Sequence, residues 1–224
     1  PIEDFASLPD VSNVRLSPGG RYILLLRRLN RNGVPGTALS IFDTVTQEST
    51  VPVYADNKRY KITWAAWASE DWVLMGVRFP SQRGAIKFTQ TRLMRYRVGS
   101  SEAPNNAFSR SFLSRLRRQP QFQDRVVDFL PDDPEHFLVQ FNGSDASNTR
   151  VLKVRLEDGS VSTFEKSRSH IRRWITDRQG RVRVAIRVKD TDVEIRIKGT
   201  EPRAKWKTIW RYEVFSDAEV TPLG

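Results

Sequence analysis

Leu16-Ser17-Pro18-Gly19-Gly20-Arg21, followed at once by the apolar run Tyr22-Ile23-Leu24-Leu25-Leu26, decides how the chain folds. An apolar residue closes one strand, a short polar turn reverses the chain, and a second apolar strand leaves it. The pattern returns three times. Trp67-Ala68-Ser69-Glu70-Asp71 leads into residues 72–77, and Phe129-Leu130-Pro131-Asp132-Asp133-Pro134 leads into residues 137–141. Trp174-Ile175-Thr176-Asp177-Arg178-Gln179-Gly180 leads into residues 182–188. The anchors Leu16, Trp67, Phe129 and Trp174 lie 51, 62 and 45 residues apart. A four-stranded propeller blade takes roughly 40–50 residues. Repetition at that length predicts an all-β chain, a partial β-propeller of about four blades made of four-stranded antiparallel sheets.

The expected divisions follow from the anchors. All 224 residues read as one propeller segment: blade 1 over 8–55, blade 2 over 60–100, an insertion over 101–123, blade 3 over 124–166 and blade 4 over 169–215. Residues 216–224 read as the start of a fifth blade, because Leu223 falls 49 residues after Trp174. Within the insertion Phe108, Phe112, Leu113 and Leu116 recur at helical spacing. A short helix near residues 106–119 is expected, stopped by Pro120. In the third unit Leu152, Val154 and Leu156 alternate with Lys153, Arg155 and Glu157, then Asp158-Gly159 turns the chain into residues 161–164. Such an Asp-Gly turn is expected to hold both residues at positive φ.

Lys and Arg total 37 against 26 Asp and Glu, a net charge of +11. Part of this excess is strand patterning. Val182, Val184, Ile186 and Val188 alternate with Arg181, Arg183, Arg187 and Lys189, which reads as one buried face and one solvated basic face. The absence of cysteine excludes disulfides, thiolate metal sites and a cysteine nucleophile. Two histidines, His136 and His170, are too few for a histidine-rich metal site. The longest apolar stretch, residues 22–26, is far short of a membrane span. The chain starts at Pro1, so processing or excision is expected, and a periplasmic or secreted location is favoured over a cytoplasmic one.

At this point the residues resemble a known family. The stretch from Leu8-Pro9-Asp10 through Leu16-Ser17-Pro18-Gly19-Gly20-Arg21-Tyr22 resembles the opening of the propeller domain in the prolyl oligopeptidase family of serine peptidases, with Gly19 in place of the usual Asp. Trp67 and Asp71-Trp72-Val73-Leu74 are similar to the family's second blade. Leu130-Pro131-Asp132-Asp133-Pro134-Glu135-His136 looks like a third-blade turn of bacterial acylaminoacyl- and dipeptidyl-peptidase-like members. The resemblance implies a propeller that covers a C-terminal α/β-hydrolase domain and limits access to small peptides. It implies that domain and a peptide substrate as partners, and no cofactor. The family's nucleophile sits on a Gly-x-Ser-x-Gly elbow, and this sequence contains none. Gly99-Ser100-Ser101-Glu102-Ala103 lacks the final glycine and Gly143-Ser144-Asp145 lacks the spacing. No catalytic, cofactor-binding or metal-binding residue is assigned, no Glu-Glu pair for a substrate amino terminus is found, and the substrate-binding residues stay unassigned.

Individual candidates read more plainly as structure. His136 reads as a turn histidine. His170, beside Arg168, Arg172 and Arg173, reads as a surface-loop residue with an anion-binding cluster as the sharper alternative. Asp132 and Asp133 read as turn caps rather than an acid–base pair. Arg115, Arg117 and Arg118 with Phe112 and Phe122 read as an amphipathic helix packing its apolar side, against a nucleic-acid patch. Trp64, Trp67, Trp72, Trp174, Trp206 and Trp210 read mostly as blade core. Three functions compete: the propeller segment of a serine peptidase, a stand-alone binding propeller, and a basic nucleic-acid binder, the last disfavoured. An unclosed ring would leave blade edges open, so self-association is expected.

Overall fold

A computed structural model describes residues 10–142, 147–201 and 203–216. Gly143-Ser144-Asp145, the Leu8-Pro9 start of the quoted opening, and residues 217–224 of the expected fifth blade lie outside the described residues. The chain divides into two units, Pro1–Ala107 and Phe108–Gly224.

The first unit holds two four-stranded antiparallel meanders. One is β1 (Val11–Leu16), β2 (Tyr22–Arg31), β3 (Val34–Asp43) and β4 (Ser49–Ala55); the other is β5 (Lys61–Trp67), β6 (Trp72–Arg83), β7 (Ile86–Arg97) and the short β8 (Asn105–Asn106). Leu24 pairs across the strands with Ile41, and Leu26 with Leu39, so each pair presents to one face. That face packs on Ile62, Ala65 and Trp67 of β5 and Val73 and Met75 of β6. Fully burying a side chain of this size stabilises by roughly 1.5–3 kcal/mol before entropy is charged. β1 breaks its register between Ser12 and Arg15, with Asn13 left-handed at φ 54°. Asn tolerates that conformation, and its Nδ2 donates to the carbonyl of Ala65, 2.7 Å away.

The second unit repeats the plan. A short helix α1 (Arg110–Ser114) precedes β9 (Val126–Asp128), β10 (His136–Asn142), β11 (Asn148–Arg155) and β12 (Val161–Ser169), then β13 (Ile171–Thr176), β14 (Val182–Lys189), β15 (Asp192–Lys198) and β16 (Trp206–Glu213). Leu130, Leu138 and Val151 pack against Ile171, Trp174, Val182 and Ala185. The fold class is therefore the expected one: an all-β, partial β-propeller of four blade-type meanders, two in each unit, with one minor helix among the described residues.

Several local expectations change. Leu16 closes β1 as expected but is 61% exposed rather than core; Phe129 is half-buried, and its neighbour Leu130 fills the core. The helix is shorter than residues 106–119, since Ser109 caps its start, accepting from Phe112 N, and the chain leaves it at Arg115, well before Pro120. Phe108 lies ahead of the helix, where it packs on Phe112 and Phe141. The 152–164 hairpin forms, with Leu152, Val154 and Leu156 buried. Its turn is longer than two residues: Arg155 N donates to Ser160 O, and only Gly159 is left-handed, at φ 70°. Loops of this length use one left-handed residue rather than two.

The basic face of β14 is also not simply solvated. A register shift between Ile175 and Thr176 of its partner strand places Val182 and Ala185 in the core, while Val184, Ile186 and Val188 stay half-buried. Arg187 reaches Glu194 at 3.4 Å, and Arg181 reaches Asp177 at 2.9 Å. The tryptophans divide. Trp67 and Trp174 are buried, Trp64, Trp72 and Trp206 are half-buried, and Trp210 is 50% exposed on β16.

Candidate binding grooves

Each unit carries a groove at the corresponding place, where the end of its first sheet meets the start of its second. In the first unit the β2–β3 hairpin and the β4–β5 connection form the walls. The connection is built by Asp56. Its Oδ1 accepts from the backbone N–H groups of Lys58 and Arg59, and its Oδ2 takes Arg59 Nε at 2.7 Å. The Arg59 guanidinium and these backbone donors hold the Asp56 carboxyl down at about 2. Asn57, left-handed at φ 59°, donates to Thr37 Oγ1, and Tyr60 O–H donates to Tyr54 O. Gly36 has no room for a Cβ, which would strike Ala55 O and the Tyr54 ring.

The space enclosed is about 550 Å³, in the range of small-ligand sites. Arg27, Arg28, Lys58, Lys61 and Arg78 line it, with Asp56 the one acid. Arg27 is held by Ser40, its Nε donating to Oγ at 2.8 Å. Lys61 and Arg78 stand directly opposite one another on β5 and β6. The floor is Leu26, Pro35 and Ile62, and no aromatic ring lines it.

The groove of the second unit is smaller, about 240 Å³. Arg125, Gln140, Thr149, His170 and Arg172 line it. Its groups bond mostly to each other: Gln140 Nε2 and Arg125 Nη1 both donate to the Arg172 carbonyl, at 3.1 and 3.5 Å, and Thr149 Oγ1 donates to Ile171 O. His170 is therefore neither a simple surface residue nor the centre of an arginine cluster. It is half-buried and left-handed at φ 63°, and its Nδ1 is buried with no hydrogen-bond partner. Arg168 turns away to Glu165 and to the face of Trp206.

The remaining candidates separate. His136 Nδ1 lies 2.9 Å from Asp133 Oδ1, whose other oxygen receives Lys153 at 2.6 Å. Burial works against ionising Asp133, but Lys153 and His136 outweigh it and hold its carboxyl below its ordinary value. Asp133 N also donates to Leu130 O, so the pair closes a turn. Phe112 packs inward on Phe141 while Phe122 is 46% exposed, which splits the basic and aromatic residues of the helix region. Among the described residues no three His, Asp or Glu side chains converge as metal ligands.

Sequence reasoning missed the first groove. Its cations are scattered over some fifty residues, and only the local run Lys58-Arg59-Tyr60-Lys61 after the Asp56-Asn57 turn could have signalled it.

The opening turn is also legible now. Ser17 Oγ donates to Glu70 Oε1 at 2.8 Å and Gly19 N to Glu70 Oε2 at 2.6 Å, while Ser17 Oγ accepts from Tyr22 N. A Cβ on Gly19 would stand 2.9 Å from Glu70 Oε2. The carboxylate that caps this turn thus comes from the neighbouring sheet. In the fourth meander Asp177 does the same work within its own turn, accepting from Gln179 N and Arg181 N.

No protein-family model matches the chain, and no curated protein matches it. Solved structures that resemble it include TolB from Acinetobacter baumannii, at 15% identity over 90% of this chain and 44% of that one, TM-score 0.44. An oligogalacturonate lyase in complex with manganese is 9% identical over 84% of this chain and 51% of that one, TM-score 0.49. A prolyl endopeptidase is 11% identical over 89% of this chain and 26% of that one, TM-score 0.42. The chain spans about a quarter to a half of these proteins. Their identity and TM-scores are too low to carry an activity to it.

Proposed function

We propose that this chain is the non-catalytic propeller segment of a serine peptidase of the prolyl oligopeptidase type, which admits and selects peptides for an α/β-hydrolase domain. The family-like turn at residues 17–22 carries this reading. It occurs as the first reversal of a blade-type meander, and its one departure, Gly19, coincides with a carboxylate supplied by Glu70. Selection here is steric and electrostatic. The segment makes no bonds; it limits what reaches the reacting groups and biases it by charge.

The test uses the protein as it occurs in its native cells, recovered through this chain. A fluorophosphonate probe is expected to label it, and short chromogenic peptides to be cleaved while a folded protein is spared. The 224-residue chain alone is expected to remain unlabelled. A native protein that neither labels nor cleaves peptides overturns the reading. An exported location belongs to the same reading, and cell fractionation checks it.

Self-association of the isolated chain is a further part of the proposal. Val11, Val14 and Leu16 on β1 and Ile209 and Trp210 on β16 are exposed apolar side chains on outer strands. Such edges template pairing. Sedimentation velocity is expected to show a concentration-dependent dimer; a strict monomer removes this part.

A further inference from the structure

We propose that the groove of the first unit is a binding site for acidic peptide segments, with the Lys61–Arg78 pair as the carboxylate clamp. This deepens the peptide-selecting reading above and rests on it.

Several cations of the sheets and their turns meet carboxylates. Arg21 meets Asp43, and Arg59 meets Asp56. Arg187, Arg196 and Arg211 surround Glu194. Lys198 meets Glu165, and Lys153 meets Asp133. Among the described residues the side chains of Lys58, Lys61 and Arg78 have no ion-pair partner, and Asp56 is already occupied by Arg59 and two backbone donors. Like charges directly opposite on neighbouring strands are destabilising. Lys61 and Arg78 are such a pair, exposed and facing the groove. One carboxylate placed between them would relieve the repulsion and take charge-assisted hydrogen bonds from both, with Arg able to bind both oxygens.

The lining decides the class of occupant. Single-stranded nucleic acid binds through basic grooves that also offer aromatic rings for base stacking. This groove has none; its floor is Leu26, Pro35 and Ile62, with Ser12, Thr37 and Thr63 as short polar partners. Such a floor suits peptide backbone and aliphatic side chains. Arg28 and Lys58 provide a second pair of charges for a further acidic residue.

The experiment is fluorescence anisotropy on the purified 224-residue chain at low salt. The probes are a labelled Glu-Ala-Glu-Ala-Glu peptide, its amidated Gln-for-Glu counterpart, and a labelled oligothymidylate. The Glu peptide is expected to bind at least tenfold more tightly than the Gln peptide. The Lys61→Gln/Arg78→Gln double variant is expected to lose about tenfold. Arg125→Gln, in the other groove, and Lys61→Arg are expected to bind as the parent does. Circular dichroism confirms that each variant folds. Should the double variant fail to fold, Lys61→Arg and the salt dependence of the parent still decide: retained binding with affinity falling steeply in salt supports the clamp, and salt-insensitive binding overturns it. Equal binding of Glu and Gln peptides overturns the proposal, as does an Arg125→Gln loss equal to that of the double variant. Tighter binding of oligothymidylate, lost in the same double variant, overturns it in favour of nucleic acid. Serine-probe labelling is blind to this groove. Peptide binding without labelling would remove the peptidase and keep the groove, and the reverse result would do the opposite.

Discussion

The two units are built to one plan and differ in what their inter-sheet grooves leave unsatisfied. In each, the first strand of the second sheet carries a buried tryptophan whose indole N–H reaches into the sheet before it. Trp67 Nε1 donates to Arg15 O at 3.1 Å, on the first strand; Trp174 Nε1 donates to Thr149 Oγ1 at 3.1 Å, on the third. The second unit spends most of its groove's polar groups on itself, through Gln140, Arg125 and Thr149, and leaves His170 Nδ1 without a partner. The first unit uses Asp56, Asn57 and Gly36 to hold a loop beside which Lys58, Lys61 and Arg78 have, among the described residues, no ion-pair partner. A conserved architecture with differently satisfied grooves separates packing from binding: the tryptophans hold the sheets, and the charge imbalance marks the site.

The comparison can be broken at its core first. Trp174→Ala is expected to cost about 3–5 kcal/mol, the usual loss for a buried Trp truncated to Ala, read as a lower urea midpoint. Trp210→Ala, half-exposed on β16, is expected to change stability by less than about 0.5 kcal/mol. Equal effects would contradict the division of tryptophans. Gly36→Ala is expected to cost about 1–3 kcal/mol through overpacking against Ala55 O and Tyr54, and to weaken peptide binding with it.

Gly19→Asp is expected to destabilise by about 1–2 kcal/mol, because it brings a second carboxylate against Glu70 and disturbs a capped turn. Adding Glu70→Gln is expected to recover part of that loss. No recovery would show that the turn does not depend on the neighbouring sheet's acid. The smallest effect is one of pH. Burial opposes ionisation of Glu194, but Arg196, Arg187 and Arg211 outweigh it and lower its carboxyl from the ordinary 4.5. The unfolded chain therefore takes up a proton before the folded chain does, and the contribution is full above about pH 4.5 and fades as pH falls through the folded value. The urea midpoint of the parent is expected to fall more between pH 6 and pH 3 than that of Glu194→Gln.

Much of this was legible from the residues. The repeated turns revealed the meanders because each sits between apolar runs that must bury one face. Leu152, Val154 and Leu156 are buried as their alternation requires. What was not legible depends on register. The shift beside Val182 breaks the simple alternation of β14, and Arg187 meets Glu194 only because the two stand opposite one another on β14 and β15. Leu16 keeps its place at the turn but faces out, since sequence shows apolarity and not the sheet that would cover it. The first groove was invisible for the same reason: Lys61 and Arg78 become neighbours only through strand pairing, 17 residues apart.

Amide hydrogen exchange of the chain with and without the acidic peptide tests the contrast between the two grooves most directly. Binding is expected to slow exchange in residues 56–63 and around residues 26–37 and 78, and to leave residues 140–149 and 170–172 unchanged. Slowed exchange at 170–172, or no slowing at 56–63 under saturating peptide, would contradict it.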